Sequence, residues 1–319
     1  MILEFSSEKL SNYEGSLAAP DDFGIFWKSA LDELDPHSYP IKTLAVNRYF
    51  NHVECFEIEI MGYQNANLYA KLLKPKEVKK KTPAVIFFHG YGDSSPEWTW
   101  LYQFAANGIT VLALDIRGQG GRSRDSLNSF MNTFIGQIVR GIEEGPENLL
   151  LRQMYLDCVI ATRTLFQFDW VDEEKIISYG ASQGGGLAIA TGALVPQISK
   201  IISIYPFLSD FKRVWEMGAA NHAYLGISEY LRKYDPRHSN SETFFAKLNY
   251  VDVQHFAPMI KAETLMVIAL RDEICPPSTQ YAIYNKVKAQ KQLWTYPDFG
   301  HEPIRNLNDE ILKFLLINS

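Results

Sequence analysis

Residues 176–190 read IISYGASQGGGLAIA, and this stretch indicates how the rest of the chain folds. The apolar run Ile176–Tyr179 is typical of a buried strand, and the small residues after Ser182 are typical of the start of a helix. A Gly-x-Ser-x-Gly pattern at 180–184 joins the two without a longer loop. Such a turn forces the central serine into a strained backbone conformation, so its hydroxyl points out of the sheet.

Apolar runs rich in β-branched residues alternate with amphipathic segments along the chain, which predicts parallel strands joined by helices. Crossovers of this kind are right-handed and place helices on both faces of a twisted sheet. An antiparallel pair of strands is predicted at Cys55–Ile60 and Ala66–Leu73, around a turn at Gly62–Asn65. The other predicted strands are Ala84–Phe88, Val111–Asp115, Ile176–Tyr179, Ile201–Tyr205, Thr264–Leu270 and Leu293–Tyr296. The predicted helices are Glu97–Asn107, Glu147–Phe168, Gly184–Leu194, Ser278–Ala289 and Asn308–Leu316.

The chain has 319 residues and no Pro/Gly/Ser-rich linker, so we expect one α/β domain over residues 1–319. Residues 1–40 are expected to form surface helices as an N-terminal extension. The segments 118–145 and 206–258 break the alternation and are expected to be insertions. Insertions in open α/β folds emerge at the carboxyl edge of the sheet, where ligands bind. They are therefore predicted to wall a pocket or to form a subunit contact.

Charge and composition exclude several classes of protein. A net charge of −6 argues against nucleic-acid binding, which needs a basic surface. Cys55, Cys158 and Cys275 are odd in number and form no CxxC pair, which favours reduced thiols over disulfides or a zinc site. The chain starts without the features of a signal peptide, and no apolar run approaches the roughly 18 residues of a membrane span. The sequence therefore predicts a cytoplasmic protein with no membrane segment, cofactor or metal.

Partners for Ser182 follow two later strands. Asp272 comes just after the predicted strand Thr264–Leu270, and His301 comes just after Leu293–Tyr296. The order serine, acid, histidine is that of one particular fold of serine hydrolase. We predict Ser182 as nucleophile, His301 as general base and Asp272 as the acid that orients the histidine, because a short side chain just past a strand suits that geometry. Alternative acids are Glu273, Asp298 and Glu302.

Acyl transfer also needs preorganised N–H donors for the developing oxyanion. One predicted donor is the backbone N–H of Gln183, directly after the nucleophile. The other is expected from the loop His89–Asp93 after the strand Ala84–Phe88, with the Tyr91 N–H preferred. His89 itself is expected to hydrogen-bond within this loop and not to act as a base.

These features resemble the α/β-hydrolase fold. Three motifs in order resemble, more narrowly, the acetyl xylan esterase and cephalosporin C deacetylase family of carbohydrate esterases: Arg117-Gly118-Gln119, Gly180-Ala181-Ser182-Gln183-Gly184 and His301-Glu302. The first motif separates this family from other α/β-hydrolases, and the resemblance covers nearly the whole chain. Arg117 and Gln119 are expected to brace loops near the site, with binding of an anionic substrate group by Arg117 as the alternative.

The resemblance implies an activity and an assembly. It implies an esterase that removes acetyl groups from small substrates, including acetylated xylo-oligosaccharides and cephalosporin C, through an acyl-enzyme. Carried over by position, Ser182, Asp272 and His301 form the triad, and Tyr91 and Gln183 supply the oxyanion donors. It further implies a cytoplasmic homohexamer, a dimer of trimers whose active sites face an interior space.

Two other functions stay open on the sequence alone. A peptidase of the same fold would use the same triad, but it normally needs an additional domain or a site for a peptide terminus. A catalytically silent binding scaffold is the second, and the complete set of nucleophile, base, acid and oxyanion donors argues against it.

Overall fold

A computed structural model describes residues 4–34, 39–78, 80–126 and 135–317. The strands are β1 (Ile41–Val46), β2 (Val53–Met61), β3 (Asn67–Pro75), β4 (Thr82–Phe88), β5 (Thr110–Leu114), β6 (Val171–Ala181), β7 (Ile198–Ile204), β8 (Glu263–Ala269) and β9 (Lys291–Tyr296). Over the described residues they form one nine-stranded sheet in the order β1-β2-β3-β5-β4-β6-β7-β8-β9. The pairs β1–β2, β2–β3 and β3–β5 are antiparallel, and all pairs from β5 to β9 are parallel.

Helices cover both faces of this sheet. They are α1 (Ser7–Ser11), α2 (Phe23–Asp32), α3 (Trp98–Ala106), α4 (Leu150–Thr164), α5 (Gln183–Leu194), α6 (Phe211–Glu216), α7 (Leu225–Tyr234), α8 (Ser241–Leu248), α9 (Pro277–Lys286) and α10 (Leu307–Ile317). One apolar core joins the sheet to α2, α4, α5, α7 and α8, and a second core joins the opposite face to α3 and α10. Covered on both sides, central strands such as β5 are buried at every residue, which explains their continuous apolar runs.

The structure confirms all the predicted strands and helices to within a few residues at their ends, and confirms the α/β class. One strand, β1, was not predicted. It lies at the edge of the sheet, and its residues 42–45 are all exposed, so no buried face gives its sequence a hydrophobic pattern.

The regions expected to be additions to the sheet contain helices. The N-terminal helix α2 buries Trp27 completely, and the Trp27 indole donates a hydrogen bond of 2.9 Å to the Tyr250 carbonyl. It therefore packs into the core and against the segment 206–258, which contains α6, α7 and α8 and leaves the carboxyl end of β7. Of the segment 118–145, residues 127–134 lie outside the described residues. The division into one domain with these insertions stays a prediction.

Within the described ranges, no helix combines the length and the apolar character that a membrane crossing needs.

Candidate active site

Ser182 occupies the turn between β6 and α5. Its backbone has φ 55° and ψ −120°, a conformation that L-residues rarely adopt. A Cβ on Gly180 would lie 2.4 Å from the Gly184 backbone, and one on Gly184 would lie 2.0 Å from the Phe88 carbonyl oxygen. Glycine is therefore required at both positions. The Ser182 N–H donates to the Ile204 carbonyl at 2.9 Å, which helps to hold the strained turn.

Three side chains from separate strand ends meet at this turn. His301 follows β9 and Asp272 follows the neighbouring β8. The Ser182 Oγ lies 2.9 Å from His301 Nε2, and His301 Nδ1 lies 2.7 Å from Asp272 Oδ2. Because a carboxylate can only accept, Nδ1 carries the imidazole proton and Nε2 is left to accept the serine proton.

Asp272 is held by its own loop. Its Oδ1 accepts hydrogen bonds from the backbone N–H groups of Ile274 at 2.9 Å and Cys275 at 2.7 Å, and the residue is buried. The other candidate acids are engaged elsewhere: Asp298 pairs with Arg271 at 2.7 Å, Glu302 accepts from the Gly300 N–H at 3.1 Å, and Glu273 is exposed. Of the four acids, Asp272 contacts the His301 imidazole.

The structure brings two residues to the triad that the sequence reasoning did not single out for the site. Tyr205, the residue after β7, has a left-handed backbone with φ 31°, and its ring centroid lies 4.8 Å from that of His301. Burial, together with the Asp272 charge, raises the pKa of Tyr205 to about 12. The Cys275 thiol is fully buried beside the Ser182 hydroxyl, and burial raises its pKa well above the usual range. The position of Tyr205 at a strand end was the available signal.

Among the described residues, donor atoms of Asp272, Cys275 and His301 lie within 4.8 Å of one another, a spacing that could accommodate a metal ion. Asp272 and His301 are the same groups that form the chain of hydrogen bonds to Ser182. We therefore assign no metal to this cluster.

The candidate oxyanion donors lie on two loops that emerge side by side. Gln183 is the first residue of α5, where backbone N–H groups have no partner within the helix. Tyr91 lies in the loop after β4, and β4 pairs with β6 so that Phe88 is opposite Gly180. The Tyr91 ring packs edge-on against Phe207 at 5.9 Å.

A buried glutamine connects these two loops. Gln119 Oε1 accepts from the Gly92 N–H at 2.9 Å and from Gln183 Nε2 at 3.0 Å. Its Nε2 donates to the amide oxygens of Gln183 and Gln137, each at 2.8 Å. Gln119 thus braces the Tyr91 loop against the Ser182 turn, as expected for the first motif. Gln137 was not identified from the sequence, because nothing nearby marks it.

Arg117 is 1% exposed, and its guanidinium forms a bidentate pair with Asp157, with Nη2 2.7 Å from Oδ1. It also donates to Gln153 at 2.9 Å and to the Tyr63 carbonyl at 2.8 Å. Burial by itself lowers the pKa of Arg117, but the Asp157 carboxylate outweighs burial and the pKa is raised. A buried guanidinium with these partners supports the bracing role and leaves no face for an anionic substrate.

His89 is also a bracing residue. Its Nε2 accepts from the Ile116 N–H at 2.9 Å, and Nδ1 donates to the Gly90 carbonyl at 2.7 Å. Burial lowers the pKa of His89, which keeps the ring neutral and suited to these two bonds.

Fold and site together define an α/β-hydrolase with a serine, a histidine and an aspartate in hydrogen-bonding contact. The sequence matches the acetyl xylan esterase (AXE1) family over residues 1–317. The chain belongs to this family, which confirms the resemblance found from the three motifs.

Solved structures and a curated relative agree with this membership. Acetyl xylan esterase 1 from Thermoanaerobacterium sp. is 40% identical, with a TM-score of 0.94 over 99% of both chains. An acetyl xylan esterase from Paenibacillus sp. R4 is 31% identical, with a TM-score of 0.91 over 98% of this chain and 99% of that one. The acetyl esterase Axe7A of Xylanibacter ruminicola is 27% identical over 304 residues, 93% of this chain. The chain spans 66% of the length of that relative.

Proposed function

We propose that the whole chain is a serine acetylesterase that acts on small acetylated substrates through an acyl-enzyme intermediate. Ser182 is the nucleophile, His301 the general base and Asp272 the acid that orients His301. The observation that carries this assignment is the continuous chain of contacts, 2.9 Å from Ser182 Oγ to His301 Nε2 and 2.7 Å from His301 Nδ1 to Asp272 Oδ2. Both distances lie in the range needed for proton transfer and orientation.

The reaction proceeds in two acyl transfers. Ser182 Oγ attacks the ester carbonyl carbon while its proton passes to His301 Nε2, and the alcohol leaves with that proton as its C–O bond breaks. Water then attacks the acetyl-serine, His301 takes one proton from it, and acetate leaves as Ser182 recovers its hydrogen. The backbone N–H groups of Gln183 and Tyr91 donate to the negatively charged oxygen in both steps.

The finer parts of the proposal concern substrate, assembly and location. The substrates are acetylated xylo-oligosaccharides and the acetyl ester of cephalosporin C, and the assembly is a homohexamer formed as a dimer of trimers in the cytoplasm. Leu44 and Tyr49, 59% and 88% exposed near the β1 edge, support a subunit contact there. Buried unpaired thiols at Cys55, Cys158 and Cys275 support a reducing compartment. Sedimentation as a monomer at micromolar concentration would contradict the hexamer.

A panel of substrates tests the activity. Acetate release from p-nitrophenyl acetate and from an acetylated xylo-oligosaccharide is measured beside cleavage of aminoacyl-nitroanilides, with butyryl and octanoyl esters to define the acyl preference. We expect fast acetate release and no amide cleavage. Strong peptidase turnover without esterase activity would overturn the proposal.

A further inference from the structure

A cleft of about 390 Å³ lies between α7, α8 and the loop at Ile142 and Glu143. None of its lining residues belongs to the triad or to the oxyanion loops. The segment that contains α7 and α8 leaves the carboxyl end of β7, and the turn of Ser182 is at that same edge of the sheet. The cleft is thus separate from the triad, and the segment 206–258 supplies all of its lining residues except Ile142 and Glu143.

Aromatic rings form one wall of the cleft. The ring of Phe244, which is buried, stacks on that of Tyr230 with centroids 4.8 Å apart and planes 20° apart. The Tyr230 ring is followed by that of Tyr234 at 5.1 Å. Tyr234 is 72% exposed, so the series runs from the core to the solvent. Exposed aromatic faces backed by a packed aromatic base are suited to a ligand that offers flat apolar surface.

The charged groups in the cleft are already engaged by the chain. The Tyr230 hydroxyl donates to the Glu143 carboxylate, Lys247 Nζ donates to the Ile142 carbonyl at 2.9 Å, and Asp235 accepts from the Asn240 N–H at 2.8 Å. An ionic ligand would have to compete with these bonds. The exposed lining residues Asn240 and Thr243 instead offer an amide and a hydroxyl, which can both donate and accept.

We propose that this cleft is an accessory binding site for an uncharged xylo-oligosaccharide chain. Pyranose rings present C–H faces that would stack on Tyr230 and Tyr234, and their hydroxyls would hydrogen-bond to Asn240 and Thr243. The choice of a xylo-oligosaccharide as ligand rests on the proposed function. The aromatic wall and the polar side chains of Asn240 and Thr243 are observed independently of that function. A chain held at this site raises the local concentration of its acetyl groups near the same molecule's active site.

Titration calorimetry of the full chain with unacetylated xylohexaose tests the site. Wild type is expected to bind, Tyr234→Ala to weaken binding at least fivefold, and Tyr234→Phe, which keeps the ring, to bind like wild type. Ile25→Ala is the matched control, because it removes an apolar side chain of similar exposure, 73%, elsewhere on the surface and should leave binding unchanged. Thermal unfolding of each variant shows that the fold is retained.

A second measurement connects the site to catalysis. The ratio of the deacetylation rate on acetylated xylan to that on p-nitrophenyl acetate is expected to fall in Tyr234→Ala and not in Ile25→Ala. No binding of xylohexaose by wild type, or equal binding by Tyr234→Ala, would overturn the accessory site. Because xylohexaose carries no ester, that result is independent of the proposed esterase activity, which fails only if acetate release is absent.

Discussion

Two polar clusters near the carboxyl edge of the sheet contrast in accessibility. In the triad, the His301 side chain is 17% exposed and Ser182 is partly exposed at its turn. In the second cluster, the buried ion pair of Arg117 and Asp157 that we call the brace, the side chains are 0% and 2% exposed. Both clusters contain short hydrogen bonds and a buried aspartate, yet of the two only the triad includes a partly exposed hydroxyl, that of Ser182. Short contacts alone therefore do not identify a catalytic site.

The two clusters should also respond differently to substitution. Removing one partner of a buried ion pair leaves an uncompensated charge, so the brace is expected to affect folding stability. Removing a member of the triad is expected to affect the rate while the fold is retained.

The largest expected effect is on turnover in Ser182→Ala. Without the nucleophile, kcat for p-nitrophenyl acetate should fall by roughly 10⁴- to 10⁶-fold, while the thermal midpoint stays close to that of wild type. Ser11→Ala, in the exposed part of α1, is the matched control and should keep full activity. Full hydrolysis by Ser182→Ala would contradict the assignment of Ser182 as the nucleophile.

Asp272→Asn should lower kcat by roughly 10⁴-fold, because the amide no longer holds the imidazole in the required tautomer. Asp298→Asn removes an exposed acid from the loop before His301 and should have little effect on the rate. Steady-state kinetics on the two variants sharpens the comparison. A larger loss in Asp298→Asn would show that the orienting acid is wrongly assigned.

Arg117→Met should lower the free energy of unfolding by about 3–5 kcal/mol, because it leaves Asp157 buried without its cation. Its effect on kcat of the folded protein should be far smaller than that of Asp272→Asn. Lys42→Met breaks an exposed pair with Glu59, and should cost less than about 1 kcal/mol. Urea denaturation measures the free energy of unfolding of both variants. Equal values for Arg117→Met and Lys42→Met would contradict a stabilising role for the Arg117–Asp157 pair.

Gln119→Leu is expected to lower kcat by less than the triad substitutions do. The Gly92 N–H and the Gln183 amide lose their partner, so the oxyanion loops shift and kcat should fall by roughly 10- to 100-fold with little change in KM. Gln103→Leu, on α3, removes a glutamine that donates to a nearby carbonyl and should leave kcat unchanged. A rise in KM alone would contradict a role in oxyanion positioning.

The smallest expected effect concerns a buried histidine and pH. The pKa of His255 is lowered to about 3, mainly by burial. The charge of Lys286 also lowers this pKa, and the charge of Asp210 acts in the opposite direction. The unfolded imidazole takes up a proton below about pH 6.5, so the unfolded state then binds more protons than the folded one. The stability contributed by neutral His255 is therefore present above about pH 6.5 and is lost as pH falls toward the folded pKa.

Urea titrations from pH 7 to pH 4 test this effect. In His255→Gln the free energy of unfolding should fall less steeply with pH than in wild type. The buried carboxyls of Asp210 and Asp252, whose pKa values are raised by burial, remain in both proteins, so their contribution is shared. His52→Gln, on an exposed histidine, is the control and should keep the wild-type slope. Equal slopes in wild type and His255→Gln would contradict the prediction.

Much of the fold could be predicted because its signals are local. Strand β6, the Ser182 turn and α5 follow one another within a short stretch. The glycines at 180 and 184 indicate a tight turn, because only glycine fits at both positions. The strand-end positions of Asp272 and His301 could also be predicted, since parallel strands bring their carboxyl ends to one edge. By contrast, the edge strand β1 has no buried face, so its sequence carries no comparable pattern.

By itself, the sequence determined the order of strands β2 to β9 and of helices α3, α4, α5, α9 and α10, the Ser182 turn and the family, because hydrophobic periodicity and glycine spacing act over a few neighbouring residues. Only the tertiary structure decided that Asp272 and not Asp298 contacts His301, that Tyr205 packs on the imidazole, and that Gln137 completes the amide network. These contacts join residues far apart in the chain. Their existence depends on how strands and loops pack in space, which no local pattern encodes.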